Sequence, residues 1–381
     1  MSRRTVLATF LAALLLLGAC GPAGDGGSGD TAIGEADLEE AVADVTTDLE
    51  ELVATFEGEL GLAALASFPG FVSLVPDPVP PLADGALSLG LVHPSQATSL
   101  QRGIWQWDAD AFDWVEVGAS TDLVLRWSFV DAASDTRAAA ITVDWGVTTQ
   151  VRDEVGDLVE VPTAMNVTLM VDTTTVADVD AEFDWYTAAT CADGILEPDR
   201  VYVDGSFGVD ATLALNAITL EATPVSATDA QIAASGGVVA SAGGDRAGLD
   251  WDVTLTGPLA RGSDCFVDTF EPENGAVDVL LFSEQAGITS SFGVDLAFDT
   301  IVFDDVTGEL VSVDLDGDLT VDGAAAVTFS GTLDDDDADG IPGDNLVLVF
   351  ANGDTTTLEA FIENQLQATT TTAMRVLSLF R

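Results

Sequence analysis

Between residues 85 and 350 apolar and polar residues alternate with a period of two, in one segment after another. Residues 178–185 place Val179, Ala181, Phe183 and Trp185 on one side and Asp178, Asp180, Glu182 and Asp184 on the other. Residues 249–255 repeat the scheme with Leu249, Trp251, Val253 and Leu255, and 123–129 and 141–147 follow it. Successive side chains of a strand point to opposite faces, so each segment reads as a strand with one buried and one wet face. The turn pairs Asp204-Gly205 and Asn352-Gly353 are expected to separate strands. A long succession of such strands without intervening helices excludes a parallel sheet built from helical crossovers. The expectation is an all-β fold, a large antiparallel β-meander over 85–352 that forms a curled sheet, a sandwich or an open barrel.

An ordered set of motifs recurs inside this region. Asp184-Trp185, Cys191, Glu197-Pro198-Asp199 and Ser206-Phe207-Gly208-Val209-Asp210 come first. Asp250-Trp251, Cys265, Glu271-Pro272-Glu273 and Ser291-Phe292-Gly293-Val294-Asp295 follow in the same order. This predicts a tandem-duplicated multi-strand unit, about 178–220 and 249–303, with the two cysteines at equivalent places.

Ahead of the strands the period changes. Leu38, Val42, Val45, Leu49, Leu52, Phe56 and Leu60 recur at four- and three-residue steps, the stripe of an amphipathic helix assigned to 35–66. The stripe is expected to dock on the β body or to pair in a short coiled coil. A proline-rich linker occupies 67–84, and a short helix and tail are expected over 353–381.

The chain opens with Arg3 and Arg4, an apolar run from Val6 to Leu17, and then Gly18-Ala19-Cys20. The run is too short to span a bilayer and suits a signal peptide over residues 1–19. Leu17-Gly18-Ala19-Cys20 resembles the lipobox of bacterial lipoproteins. The resemblance implies that Cys20 is lipidated before cleavage on its amino side, so that the protein is held to a membrane by its N-terminal lipid. A Gly/Ser-rich tether then runs over 20–34. Gly21, where inner-membrane lipoproteins carry an aspartate, implies an outer-membrane or cell-surface address in the envelope. With Cys20 lipidated, Cys191 and Cys265 remain as a pair in an oxidising compartment, and a disulfide is expected.

The formal charge is −54, and the basic residues are all arginine. Such a charge repels phosphate and rules against nucleic acid as a partner. It reflects either adaptation to salt or cation binding. Aspartate fills 46 of 381 positions, and the densest run, 332–350, puts six into eleven residues between two strand-like segments. In it Asp335, Asp337 and Asp339 alternate, Gly340 permits a turn, and Ile341, Asp344 and Asn345 follow. Calcium takes six to eight oxygens in a flexible cage, and this spacing offers the three carboxylates, the Ile341 carbonyl, Asp344 and Asn345. The stretch resembles one thrombospondin type 3 repeat and the start of an EF-hand loop, which implies calcium. Leu346 stands where an EF-hand has its closing glutamate, and the repeat occurs once. An acidic hairpin tip without a metal is the competing reading. A second cluster, Asp314, Asp316, Asp318 and Asp322, is accounted for by the wet face of a strand pair.

No enzyme constellation stands out. The single histidine, His93, precedes a proline. No lysine nucleophile, Gly-x-Ser-x-Gly elbow or glycine-rich phosphate loop occurs. The tryptophans follow the inward period, as core residues do; the competing reading is an exposed surface, around the hairpin at 104–117, that stacks on sugars or apolar ligands. A non-catalytic binding or structural role is expected, with a protein or an apolar small molecule as the candidate partner. The alternatives are a carrier that encloses an apolar ligand in a curled sheet, and a carboxylate hydrolase.

Overall fold

The computed structural model describes residues 60–69 and 102–360, apart from 154, 189–190, 192–193, 227, 286, 304–309 and 335–342. The signal peptide, Cys20, the tether, the helix up to residue 59, the linker from 70, His93 and the tail from 361 lie outside them. The chain divides into two bodies. The first comprises 54–243 and 259–270; the second comprises the remainder, including 244–258 and 271–360.

The first body holds α1 (Leu60–Ala66) and β1 (Gly103–Asp108), β2 (Asp113–Gly118), β3 (Leu123–Val130) and β4 (Thr136–Asp144). After these come β5 (Thr148–Arg152), β6 (Leu158–Pro162), β7 (Ala164–Val171), β8 (Thr174–Trp185), β9 (Pro198–Phe207), β10 (Ala211–Pro224) and β11 (Asp229–Ala242). The pairing runs β2-β1-β3-β4-β7-β8-β9-β10-β11, and β5 and β6 form a separate ribbon. Every pair is antiparallel except β1–β3, which is parallel. The expected antiparallel meander is present, with this one parallel pair as a local exception. The β1–β2 hairpin reverses the chain, and residues 119–122 carry it past β1 to the strand's other edge. No helix is needed for this parallel pair, because a strand makes the return trip.

The alternation places the core as expected. Leu123, Leu125, Trp127 and Phe129 of β3 are buried, as are Met165, Leu169 and Val171 of β7. On β8, Ala181, Phe183 and Trp185 are buried while Asp178, Asp180, Glu182 and Asp184 are exposed. A one-residue slip would swap these two sets between core and water, so the burial pattern fixes the register. The last turn of the helix docks here. Ala64 is fully buried, Phe68 packs edge-on against Trp127 with ring centroids 5.1 Å apart, and the Trp127 indole N–H donates to Ser67 Oγ at 3.0 Å.

Asp204-Gly205 does not form a turn. Both residues lie inside β9, where Asp204 pairs with Asp180 and Gly205 with Val179. A Cβ at position 205 would come within 2.5 Å of the Asp178 carbonyl oxygen and 2.7 Å of Val179 Cα. The glycine is there because two backbones approach closely, which a strand accepts as readily as a turn does.

In the second body, β12 (Asp245–Arg261) contributes its residues up to 258, its last three belonging to the first body with β13 (Val267–Phe270). There follow β14 (Asn274–Gln285), β15 (Ile288–Phe303), β16 (Leu310–Val321), β17 (Ala324–Leu333), β18 (Asn345–Phe350) and β19 (Thr355–Thr357). They pair antiparallel in the order β12-β14-β15-β16-β17-β18-β19. Val253, Val279, Val294, Leu296, Leu315, Phe329 and Leu348 are buried. Asn352-Gly353 makes the turn expected of it. Gly353 has φ of 90°, its N–H donates to the Phe350 carbonyl at 2.8 Å, and the Asn352 and Asp354 side chains hold each other.

The recurring motifs are used in two ways. Glu197-Pro198-Asp199 and Glu271-Pro272-Glu273 each lead into the next strand, β9 and β14. Ser206–Asp210 runs off the end of β9 into a turn, with Gly208 at φ 106°. Ser291–Asp295 lies in the middle of β15, paired on both sides.

Candidate functional sites: a disulfide cluster and the acidic faces

Cys191 and Cys265 are joined in a disulfide, with Cα atoms 6.4 Å apart and 74 residues between them in sequence. Cys191 lies in the connection from β8 to β9, and Cys265 in the turn from β12 to β13 at φ 77°. The connection is closed at its base, where Tyr186 N–H donates to the Glu197 carbonyl at 2.9 Å and Ile195 N–H to that of Tyr186 at 3.0 Å.

Arg261, at the end of β12, reaches both loops. Its guanidinium lies over the Tyr186 ring, 3.5 Å from the centroid, donates to Glu197 Oε2, and donates to the Cys265 carbonyl at 2.9 Å. Asp199 is a further partner at 3.9 Å. Burial pushes the Asp199 carboxyl up; Arg261 pulls it down, while Glu197 and Asp184 push it up again. Arg261 hydrogen-bonds Glu197, whereas Asp199 lies beyond hydrogen-bond distance of it. Sequence spacing supplies the cysteines and Glu197, but Arg261 was missed. Its nearest sequence signal is its position four residues before Cys265.

Of the residues offered for calcium, Asp335, Asp337, Asp339 and Ile341 lie outside the described residues, and Asp344 and Asn345 lie within them. The base of the loop is tied across the hairpin. Asn345 Nδ2 donates to both carboxylate oxygens of Asp334, at 3.1 and 3.0 Å, and Gly343 N–H donates to the Asp334 carbonyl at 2.7 Å. Asp334 begins the aspartate run and was not among the expected ligands. Among the described residues, no group of three or more His, Cys, Asp or Glu side chains is arranged to hold a metal ion.

The cluster at 314–322 takes its place in the sheet. Asp314 accepts from Thr332 Oγ1 at 2.7 Å, and Asp322, in the β16–β17 turn, accepts from the Ser291 N–H at 2.9 Å. Asp318 belongs to a larger pattern. Asp252 of β12 faces Asp278 of β14, which faces Asp295 of β15, which faces Asp318 of β16. Four aspartates thus cross the second body's wet face in register. Directly opposed side chains of one face lie about 5 Å apart, and like charges so placed are destabilising. Partial burial raises Asp278's pKa, and Asp295 and Asp252 raise it further.

The first body handles its acids differently. In the equivalent row Asp144 faces Asn166, which faces Asp180, which faces Asp204. Asn166 Nδ2 donates to Asp178 at 2.8 Å and to Asp180 at 2.9 Å, and Tyr202 O–H donates to Asp204 at 3.0 Å. At one end of the same sheet Arg137 Nε donates to Asp131 at 2.9 Å and its Nη1 to Asp172 at 3.1 Å, joining the β3–β4 and β7–β8 turns. The Asp131 carboxyl is lowered chiefly by its bond from Arg137. That of Asp172 is lowered first by the Ala138 N–H and then by Arg137. An acid with a depressed folded pKa stabilises above its unfolded value of 3.8 and loses that contribution as pH falls through the folded value. Arg137→Leu is therefore expected to lower the melting midpoint at neutral pH and to flatten its fall below about pH 4. Equal slopes in acid for wild type and variant would contradict this.

All seven tryptophans are buried or half-buried, Trp127 the most completely at 1% exposure. They form part of the packing and present no open aromatic platform. No protein-family model, no curated protein and no solved structure matches the chain.

Proposed function

We propose that the protein is an exported lipoprotein, tethered through Cys20 to the outer membrane or cell surface, with a non-catalytic binding or structural role. The observation that carries the reading is the Cys191–Cys265 bond. Such bonds persist in oxidising, extracytoplasmic compartments, and this one leaves Cys20, next to the lipobox residues, as the remaining cysteine of three. The charge of −54 agrees with a body that stays soluble in front of its anchor and avoids nucleic acid. A protein or an apolar ligand is the partner class. The test is metabolic labelling with an alkyne-bearing fatty acid. Wild type should take up label and sediment with membranes, and Cys20→Ser should do neither. Label retained in Cys20→Ser would sink the proposal.

Within this reading calcium stiffens the hairpin between β17 and β18 through Asp335, Asp337, Asp339, the Ile341 carbonyl, Asp344 and Asn345. The Asp334–Asn345 tie supports it by closing the base of the loop. Millimolar calcium should raise the melting midpoint of wild type by a few degrees beyond an equal ionic strength of sodium chloride. Asp337→Ala with Asp339→Ala should abolish that excess. No excess in wild type would remove calcium from the account.

A further inference from the structure

We propose that Arg261 is a positioning residue for the Cys191–Cys265 bond, a non-covalent bridge that brings the two cysteine-bearing loops together before the thiols are joined. Its guanidinium makes contacts on both sides of the disulfide. On one side it donates to the carbonyl of Cys265 itself, at 2.9 Å. On the other it caps the Tyr186 ring at 3.5 Å and bonds Glu197, and these two residues form the closed base of the loop that carries Cys191. The side chains of Arg261 and Glu197 are only 18% and 27% exposed. A charge-assisted bond that is partly shielded from water is stronger than a surface pair. Without the covalent bond these contacts still join the same two loops. They therefore raise the effective concentration of one thiol near the other, which in an unfolded chain is diluted by the 74-residue separation.

The step is thiol–disulfide exchange with a small disulfide such as oxidised glutathione. One cysteine thiolate attacks it, forming a mixed disulfide and releasing one glutathione thiolate. The second cysteine thiolate then attacks the protein sulfur of that mixed disulfide and displaces the second glutathione. The two protons lost by the protein thiols pass through solvent to the two departing glutathione thiolates, so that the oxidised glutathione is reduced to two thiols. Arg261 acts on the second attack, because that attack requires the loops to be adjacent.

The experiment equilibrates the full chain with glutathione redox buffers at neutral pH and measures the protein disulfide by thiol alkylation and mass. Arg261→Gln should lower the equilibrium constant for bond formation by about tenfold, the scale of coupling between neighbouring interactions, and Arg261→Lys should fall between. In concentrated urea all forms should agree. Arg137→Gln, which breaks a distant cluster of the same body, should match wild type and so separates positioning from a general loss of stability. If Arg261→Gln does not fold, Glu197→Gln, which weakens the same bridge from its partner, provides the measurement. An equilibrium constant within twofold of wild type in the folded variants, or a fall equally large in Arg137→Gln, overturns the proposal.

Discussion

Replacing Cys191 and Cys265 together by alanine is expected to lower the free energy of unfolding of the first body by about 4 kcal/mol. The figure follows from the loop that the bond closes. The 74-residue separation costs the unlinked, unfolded chain about 15 cal/mol/K more entropy on folding than the cross-linked one. The readout is convenient, because Trp105, Trp107, Trp114, Trp127, Trp145 and Trp185 belong to the first body and Trp251 alone to the second. Tryptophan emission against denaturant should show the midpoint falling in the double variant. Reduction of wild type should reproduce much of the fall. A midpoint that stays in place in both would mean that the unfolded chain is held compact by something else.

The second large effect is expected from salt. Sodium chloride raised from about 0.05 M to 1 M shortens the screening length from roughly 14 Å to 3 Å. The aspartates Asp252, Asp278, Asp295 and Asp318 face one another at closer than the longer of these lengths and beyond the shorter. Each opposed pair costs a few tenths of a kcal/mol to about 1 kcal/mol at low salt. The row and the surrounding acids together should depress stability by about 2 kcal/mol, equivalent to a melting shift of roughly 4–8 °C in a body of this size. Asp278→Asn should raise the low-salt midpoint and shrink the salt effect. Asn166→Asp, which removes the amide that relieves the first body's row, should create a new salt dependence. The sign of the pH effect is fixed as well. An acid whose folded pKa is raised is less destabilising when protonated, so Asp278 gains stability as pH falls from neutral through its raised value toward 3.8. That gain should be lost in Asp278→Asn. A midpoint indifferent to salt in wild type would mean that the row is neutralised by groups the register does not reveal.

The sequence by itself determined which residues face inward. On β8 and β3 the two-residue period gave the buried and wet faces, because a strand's alternation is a local property of the backbone. It also determined the sign of the surface, the lipobox-like start and the pair of cysteines that the fold joins. Partners were decided only in three dimensions. Asp204-Gly205 has the composition of a turn, yet close approach of the neighbouring strand makes it part of β9. The parallel β1–β3 pair depends on a hairpin passing one strand end, which no local pattern records. The aspartate row arises because four separate strands come into register, and each aspartate alone is an ordinary wet-face residue. Arg261 is likewise ordinary in sequence until a loop some sixty residues earlier folds against it. Alternation is set by bonds between neighbours along the chain, whereas register and loop contacts are set by residues far apart in it, and those contacts exist only once the chain has folded.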